Sequence, residues 1–215
     1  MTVEVKICGL STAETVTAAC DGGTRWVGFN FFPKSPRYVS AAHAGDLAPL
    51  VPPHVGKVAV LVDPDDRLIG EILDRADMDL LQLHGAETPA RAAEIRKTFG
   101  LPVMKVLSVA GSEDLQSVAS YLPVVDRLMF DAKAPAPGPH SLPGGNAITF
   151  DWTLLAGRNW PLSWMLAGGL TTANMAEAVR ISGAETIDVS SGVEESRGVK
   201  SVQMIADFLA KARTL

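Results

Sequence analysis

The sequence has 215 residues, 47% hydrophobic and 20% charged, with no long biased tract, which suits one globular domain over 1–215 with a substantial core. A net charge of −5 and a pI near 5.4 argue against a nucleic-acid backbone or an anionic membrane as partner. No secretory leader pattern follows Met1, no apolar run reaches spanning length, and two cysteines cannot make a disulfide framework, so a cytoplasmic location is expected.

Along the chain, short apolar runs alternate with helix-period segments. "VEVKIC" (3–8) reads as a strand with Cys8 at its C-terminal tip, and "STAE" places Ser11 and Glu14 in a capping-box pattern ahead of a first helix that carries Cys20. "RWVGFNFF" (25–32) is a second strand, followed by the proline-punctuated loop "FPKSPRYVS" with Arg37. "KVAVLV" (57–62) and "DLLQLH" (79–84) come next. The helix "TPARAAEIRKTFG" then offers Thr88 as N-cap, Pro89 at its first position and Gly100 as its stop. "VMKVLS" (103–108) leads to "GSEDLQSVASYL", whose Glu113 and Asp114 suit a first helical turn. "RLMFDA" (127–132) precedes the long irregular stretch "APAPGPHSLPGGN" (134–146). Apolar elements flank it closely, so it reads as a functional loop rather than a linker. A short helix at 151–157, the strand "SWMLAG" (163–168), a helix in "TTANMAEAVRISG", the strand "TIDVSS" (186–191) and a last helix in "KSVQMIADFLAKA" complete the chain.

Most of these strands are too apolar to be half-exposed, and each fits a parallel strand covered on both faces. Eight strand-then-helix units point to a (β/α)8 TIM barrel, an α/β fold. A doubly wound open sheet is the competitor, but the count of eight and the lack of Gly-x-Gly-x-x-Gly after the first strand favour the barrel.

Barrel active sites sit at the C-terminal ends of the strands. The polar residues collected there are Cys8, Asn30, Asp63, His84, Asp131, Asp188, Ser190 and Ser191, with Arg37 on the second loop. "AGGL" (167–170) and "SSGVE" (190–194) supply Gly168, Gly169 and Gly192 on loops seven and eight, the usual phosphate cradle of such barrels.

Each has a plainer reading. Cys8 could be a small buried residue, Asp131 a loop-closing carboxylate and Arg37 a surface side chain. His84 is expected to pack and hydrogen-bond at the rim, and Asp188 to orient loop eight through backbone N–H groups. Lys6 shares the parity of Cys8, so it should lie inside the barrel two residues lower, without assisting the thiol. There it needs a partner, and Asp131 or Asp188 could supply one. The four tryptophans read as packing residues, and Cys20 as inert. His43, His54, His84 and His140 lack ligand spacing, so no metal is expected.

"KICGL", "GFNFFPKSPRYVS" (28–40), "LLQLHGAET" (80–88), "LMFDA" (128–132), "PGGNAITFDW" (143–152), "LAGGL" (166–170) and "DVSSGVE" (188–194) together resemble the phosphoribosylanthranilate isomerase family of tryptophan biosynthesis. The resemblance covers essentially the whole chain. It implies an intramolecular oxidoreductase of the aldose–ketose type that carries out an Amadori rearrangement of a phosphosugar, with no cofactor, as a monomer or homodimer. It further implies Cys8 as general base, Asp131 as general acid and Arg37 on the anthranilate carboxylate. Backbone groups around Gly168, Gly169, Ser190, Ser191 and Gly192 would grip the phosphate. "GGNA" (144–147) departs from the family's usual GGTG or GGSG at Asn146 and Ala147. Two rival readings are a barrel isomerase acting on the histidine-pathway aminoaldose, whose relatives place an aspartate where Cys8 stands, and a non-catalytic binding or scaffolding barrel.

Overall fold

A computed structural model describes residues 3–133 and 148–215. The loop reading at 134–146 and the departure at Asn146 and Ala147 lie outside the described residues.

Eight strands form a closed parallel barrel in chain order: β1 (Glu4–Cys8), β2 (Trp26–Asn30), β3 (Gly56–Leu61), β4 (Leu80–Leu83), β5 (Val103–Val109), β6 (Arg127–Ala132), β7 (Trp164–Leu166) and β8 (Thr186–Val189). Closure comes from β8 pairing with β1, with Lys6 opposite Asp188 and Ile7 opposite Val189. Alternate strand residues face two cores. Val58, Val60, Leu80, Met104, Val106 and Met129 fill the barrel interior, while a larger cluster packs between the strands and the helices. Burial on both faces is why the strands read as near-continuous apolar runs rather than alternating ones.

The helices are α1 (Ala13–Asp21), α2 (Ala41–Leu47), α3 (Asp66–Arg75), α4 (Pro89–Phe99), α5 (Val118–Tyr121), α6 (Met175–Ser182) and α7 (Val202–Ala212). The ends of α4 are as expected: Thr88 caps the Arg91 N–H, Pro89 opens the helix, and Gly100 closes it at φ 68°. The first helix differs. Thr12, not Ser11, is the N-cap and accepts from the Thr15 N–H, because it is the residue that holds extended backbone immediately before the turn. The 112–122 segment starts as a 3-10 turn (Ser112–Ser117) and becomes α-helical only at α5. The helix expected at 151–157 is a 3-10 turn, Trp152–Leu154.

A two-stranded antiparallel hairpin, β9 (Glu194–Ser196) with β10 (Val199–Lys200), follows β8 and was not foreseen from the sequence. It returns the chain toward the barrel mouth before α7, with consequences for the site.

Candidate active site

The strand ends open into one pocket. Cys8 from β1, Arg37 from the second loop, His84 after β4, Asp131 on β6, Gly168 and Gly169 after β7, and Ser190 and Ser191 after β8 all line it, as do Asn30 and Asp188. Gly192 does not line it. A Cβ there would run into the Leu170 carbonyl oxygen, so glycine is what lets loop eight lie this close to loop seven. Asp63 lies outside the lining too, and its carboxylate accepts the Ala86 N–H at 2.7 Å.

Cys8 owes its place to Gly28, its register partner on β2. A Cβ at Gly28 would stand 3.1 Å from Cys8 Sγ and 3.2 Å from Lys6 Nζ, so the missing side chain is what leaves room for both groups. Burial pushes the thiol above its ordinary value and nearby Asp188 adds to this, while the Lys6 and Lys200 ammonium groups pull the other way. The expectation that Lys6 plays no part near the thiol is therefore wrong: two residues lower on the same face is close enough to feel the charge. Lys6 is fully buried and donates to Asp188 Oδ1 at 2.7 Å. Burial alone would lower its pKa, but Asp188 and Cys8 outweigh that and raise it. Asp188 was one of the two partners expected for Lys6. Its carboxylate accepts from that lysine, and among the described residues no loop-eight N–H is seen to donate to it.

Asp131 is buried. Its Oδ1 accepts the Ala132 N–H at 2.8 Å, and its Oδ2 lies 3.1 Å from His84 Nε2. Gly168, at φ 92°, brings the loop-seven backbone close: a Cβ there would meet Ala132 N at 2.7 Å and Asp131 Oδ1 at 3.2 Å. Glycine is required on both counts. Asn174 steadies the loop by donating to the Gly169 carbonyl at 3.0 Å and accepting the Thr171 N–H at 2.8 Å.

Arg37 is not a surface side chain. It is 4% exposed, and its Nε and Nη2 donate to the two oxygens of Glu194 at 2.6 and 2.8 Å. Burial works against the Glu194 carboxylate, but Arg37, Lys200 and the Gly198 N–H outweigh it and hold its pKa down to about 2. Lys200 on β10 donates to Glu194 Oε1 at 2.5 Å, to the Ser190 carbonyl at 3.0 Å and to Ser190 Oγ at 3.2 Å. Ser190 Oγ donates in turn to the Cys8 carbonyl at 3.2 Å. One polar chain thus runs from Arg37 through Glu194, Lys200 and Ser190 to the backbone of Cys8.

The arrangement offers a thiol and a carboxyl over one cavity, with glycine-bearing loops at one side and a guanidinium at another. Among the described residues, no group of three or more His, Cys, Asp or Glu side chains could hold a metal ion.

The sequence profile described as N-(5'-phosphoribosyl)anthranilate (PRA) isomerase matches residues 5–211. The chain belongs to this family. A relative named N-(5'-phosphoribosyl)anthranilate isomerase in Paramagnetospirillum magneticum is 54% identical over 213 residues, covering 99% of this chain and 98% of the relative. Another in Rhodospirillum centenum is 50% identical over the full length of both. Among solved structures, the phosphoribosylanthranilate isomerase of Thermotoga maritima superposes with a TM-score of 0.87 at 30% identity, over 99% of this chain and 100% of that one. A structure of the enzyme in complex with reduced 1-(o-carboxyphenylamino)-1-deoxyribulose 5-phosphate superposes with a TM-score of 0.83 at 28% identity, covering 99% and 100%.

Within this family framework, sequence reasoning passed over Gly28, Gln82, Glu194 and Lys200. Gly28 carries a signal, a glycine inside an otherwise apolar strand, which often marks a close approach. Glu194 closes the quoted "SSGVE" run but pairs with a residue 157 positions earlier. Lys200 sits in an unmarked hairpin.

Proposed function

We propose that Cys8 and Asp131 are the base and acid of the reaction, with Arg37 and loops seven and eight holding the two ends of the substrate. The chain is an aldose–ketose isomerase of tryptophan biosynthesis, converting N-(5-phosphoribosyl)anthranilate to 1-(2-carboxyphenylamino)-1-deoxyribulose 5-phosphate. One observation carries the assignment of roles: a buried thiol and a buried carboxyl from β1 and β6 line the same pocket as the loop-seven and loop-eight glycine and serine residues and Arg37.

Asp131 gives its proton to the furanose ring oxygen. The bond from that oxygen to C1 breaks, and the nitrogen lone pair closes an iminium at C1. Cys8, as thiolate, takes the proton from C2, and the electron pair moves to form an enolamine. Proton return to C1 and loss of the proton on the C2 hydroxyl give the ketone. The thiol must first ionise against the effect of its burial, and the Lys6 and Lys200 charges are what make this accessible. Arg37, its Nε–Nη2 edge held by Glu194, sets its guanidinium charge against the anthranilate carboxylate, and the backbone around Gly168, Gly169, Ser190 and Ser191 takes the phosphate. Fixing both ends aligns C1 and C2 between acid and base, which is worth several kcal/mol of barrier.

We place the protein in the cytoplasm as one domain over 1–215, on its acidic charge and its two unbridged cysteines. Among the described residues no helix is long and apolar enough to cross a membrane.

Turnover of synthetic phosphoribosylanthranilate, read as loss of its fluorescence, tests the assignment directly. Cys8→Ser and Asp131→Asn should each abolish turnover while a reduced product analogue still binds. Substantial turnover in either variant removes that residue from the mechanism.

A further inference from the structure

Gln82 lies inside the barrel on β4, is 1% exposed, and does not line the pocket. Its Oε1 has no hydrogen-bond partner among the described residues. Its Nε2 lies 3.3 Å from His84 Nδ1 and 3.7 Å from Met129 Sδ. His84 Nε2 lies 3.1 Å from Asp131 Oδ2. Amide, imidazole and carboxyl thus form a chain from the barrel interior to the pocket.

This arrangement corresponds to one protonation state. An amide N–H facing Nδ1 requires a lone pair there, which corresponds to the tautomer with its proton on Nε2, pointing at Asp131 Oδ2 as acceptor. An acid has to carry a proton. One more proton on the pair places a hydrogen on Nδ1, whether the Nε2 proton stays on an imidazolium or passes to Oδ2. An Nδ1–H cannot face an amide N–H, but it can donate to an amide oxygen. A half-turn of the Gln82 amide about its last torsion brings the unpartnered Oε1 to Nδ1. The two orientations of that amide are the two protonation states of its neighbours.

We infer that Gln82 and His84 are positioning residues for Asp131, holding and reloading the proton that it delivers. The inference rests on Asp131 being the acid. In the loaded state Gln82 Oε1 accepts from Nδ1–H, and Nε2 accepts from the protonated Oδ2. Ring opening moves the Oδ2 proton to the furanose oxygen. Oδ2 is left negative and Nε2 bare until solvent entering the pocket returns one proton. The charged groups around this chain are committed elsewhere: Lys105 to Glu87 at 2.6 Å, Lys6 to Asp188 at 2.7 Å, Lys133 to Asp114 at 2.6 Å, and Asp63 to the Ala86 N–H at 2.7 Å. Cys8, Asp188 and Arg37 also line the pocket, Arg37 paired with Glu194.

The test needs no substrate for its first arm. In protein labelled with nitrogen-15 at histidine, the His84 ring signals, assigned by their loss in His84→Asn, should report one tautomer, set by the Gln82 amide atom that faces Nδ1. Those signals should change in Asp131→Asn, because the carboxyl that faces Nε2 at 3.1 Å is gone. Gln82→Met removes the acceptor of the loaded state. It should leave mixed tautomers, lower kcat about tenfold at neutral pH with KM nearly unchanged, and move the alkaline limb of kcat down by about one pH unit. Gln82→Glu restores an acceptor and should move that limb up. If neither Gln82 variant alters the His84 tautomer or the kcat limb while Asp131→Asn is inactive, Gln82 only packs and the inference fails. If Asp131→Asn turns over normally, the acid assignment fails instead, and His84 ring signals indifferent to residue 131 overturn the proton sharing as well.

Discussion

Arg37 presents Nε and Nη2 to both carboxylate oxygens of Glu194, at 2.6 and 2.8 Å, with each side chain 4% exposed. The pairing sets the plane of the guanidinium before any ligand arrives. A guanidinium fixed in this way offers a pre-set positive charge to an aromatic carboxylate, and losing it leaves that anion desolvated and unpaired. Arg37→Ala should therefore cost a carboxylate-bearing product analogue roughly 2–5 kcal/mol of binding free energy. A phosphosugar that lacks the anthranilate ring touches only loops seven and eight and should bind almost as before. Calorimetry with both ligands decides the matter: equal losses would mean that Glu194, freed of its partner, has carried loop eight away, and that Arg37 does not read the carboxylate.

Glu194 also makes the fold sensitive to acid. Its pKa falls from an ordinary 4.5 to about 2, so the folded state binds its proton less tightly than the unfolded chain. A depressed carboxylate contributes stability that is fully present above about 4.5 and is lost as pH falls toward about 2. Urea unfolding of the wild type and Glu194→Gln, measured from neutral pH to pH 2, should show a gap that closes across that window. A gap independent of pH would mean that the glutamate acts through shape alone.

Cys8 has the opposite sense. Its pKa stands above the ordinary 9.0 because burial disfavours the thiolate, so at neutral pH the base is mostly protonated. The thiolate fraction, read as the rate of alkylation at Cys8, should then climb about tenfold per pH unit on the acid side of that titration. Lys6→Met removes a charge that stabilises the thiolate and should push the limb further up. The linkage has a matching sign: a raised folded pKa gives stability that is present below the unfolded value and fades as pH rises through the folded one. A limb indifferent to both pH and Lys6 would remove Cys8 from the proton transfer.

The fold was legible because each strand is buried on both faces, so apolar runs such as "KVAVLV" and "RLMFDA" announced themselves with only small errors at the ends. Helix ends were legible where the capping residues stand alone, as with Thr88, Pro89 and Gly100. They were not where two hydroxyl residues compete, as with Ser11 and Thr12. The polar residues at the strand ends could be collected because a parallel barrel puts them all at one mouth. Their partners were legible only in part. Barrel parity narrowed the partner of Lys6 to Asp131 or Asp188, 182 positions away in the latter case, but nothing local in "SSGVE" encodes the pairing of Glu194 with Arg37, 157 positions earlier. Gln82 reads as one polar residue in an apolar strand, and only its position beneath His84 gives it meaning.

Gly28→Ala tests how tightly the thiol is held. The added methyl would lie 3.1 Å from Cys8 Sγ, 3.2 Å from Lys6 Nζ and 3.3 Å from Cys8 Cα. Flexible tips usually give way, but Lys6 is fully buried and tied to Asp188 at 2.7 Å, and the Cα is backbone. The strain therefore falls on the thiol and on the β1–β2 pairing. Overpacking of this kind costs about 1–3 kcal/mol of stability. It should also separate Sγ from the Lys6 ammonium, so kcat/KM should drop and its acid-side limb should move to higher pH. Gly70→Ala is the matched control: nothing lies within 4 Å of its Cβ, and it sits inside α3, where alanine should add about 0.5–1 kcal/mol. Thermal unfolding and pH profiles of the two variants separate the effects. A Gly28→Ala protein with the wild-type pH profile and only a lowered Tm would show that the glycine serves the barrel and not the base.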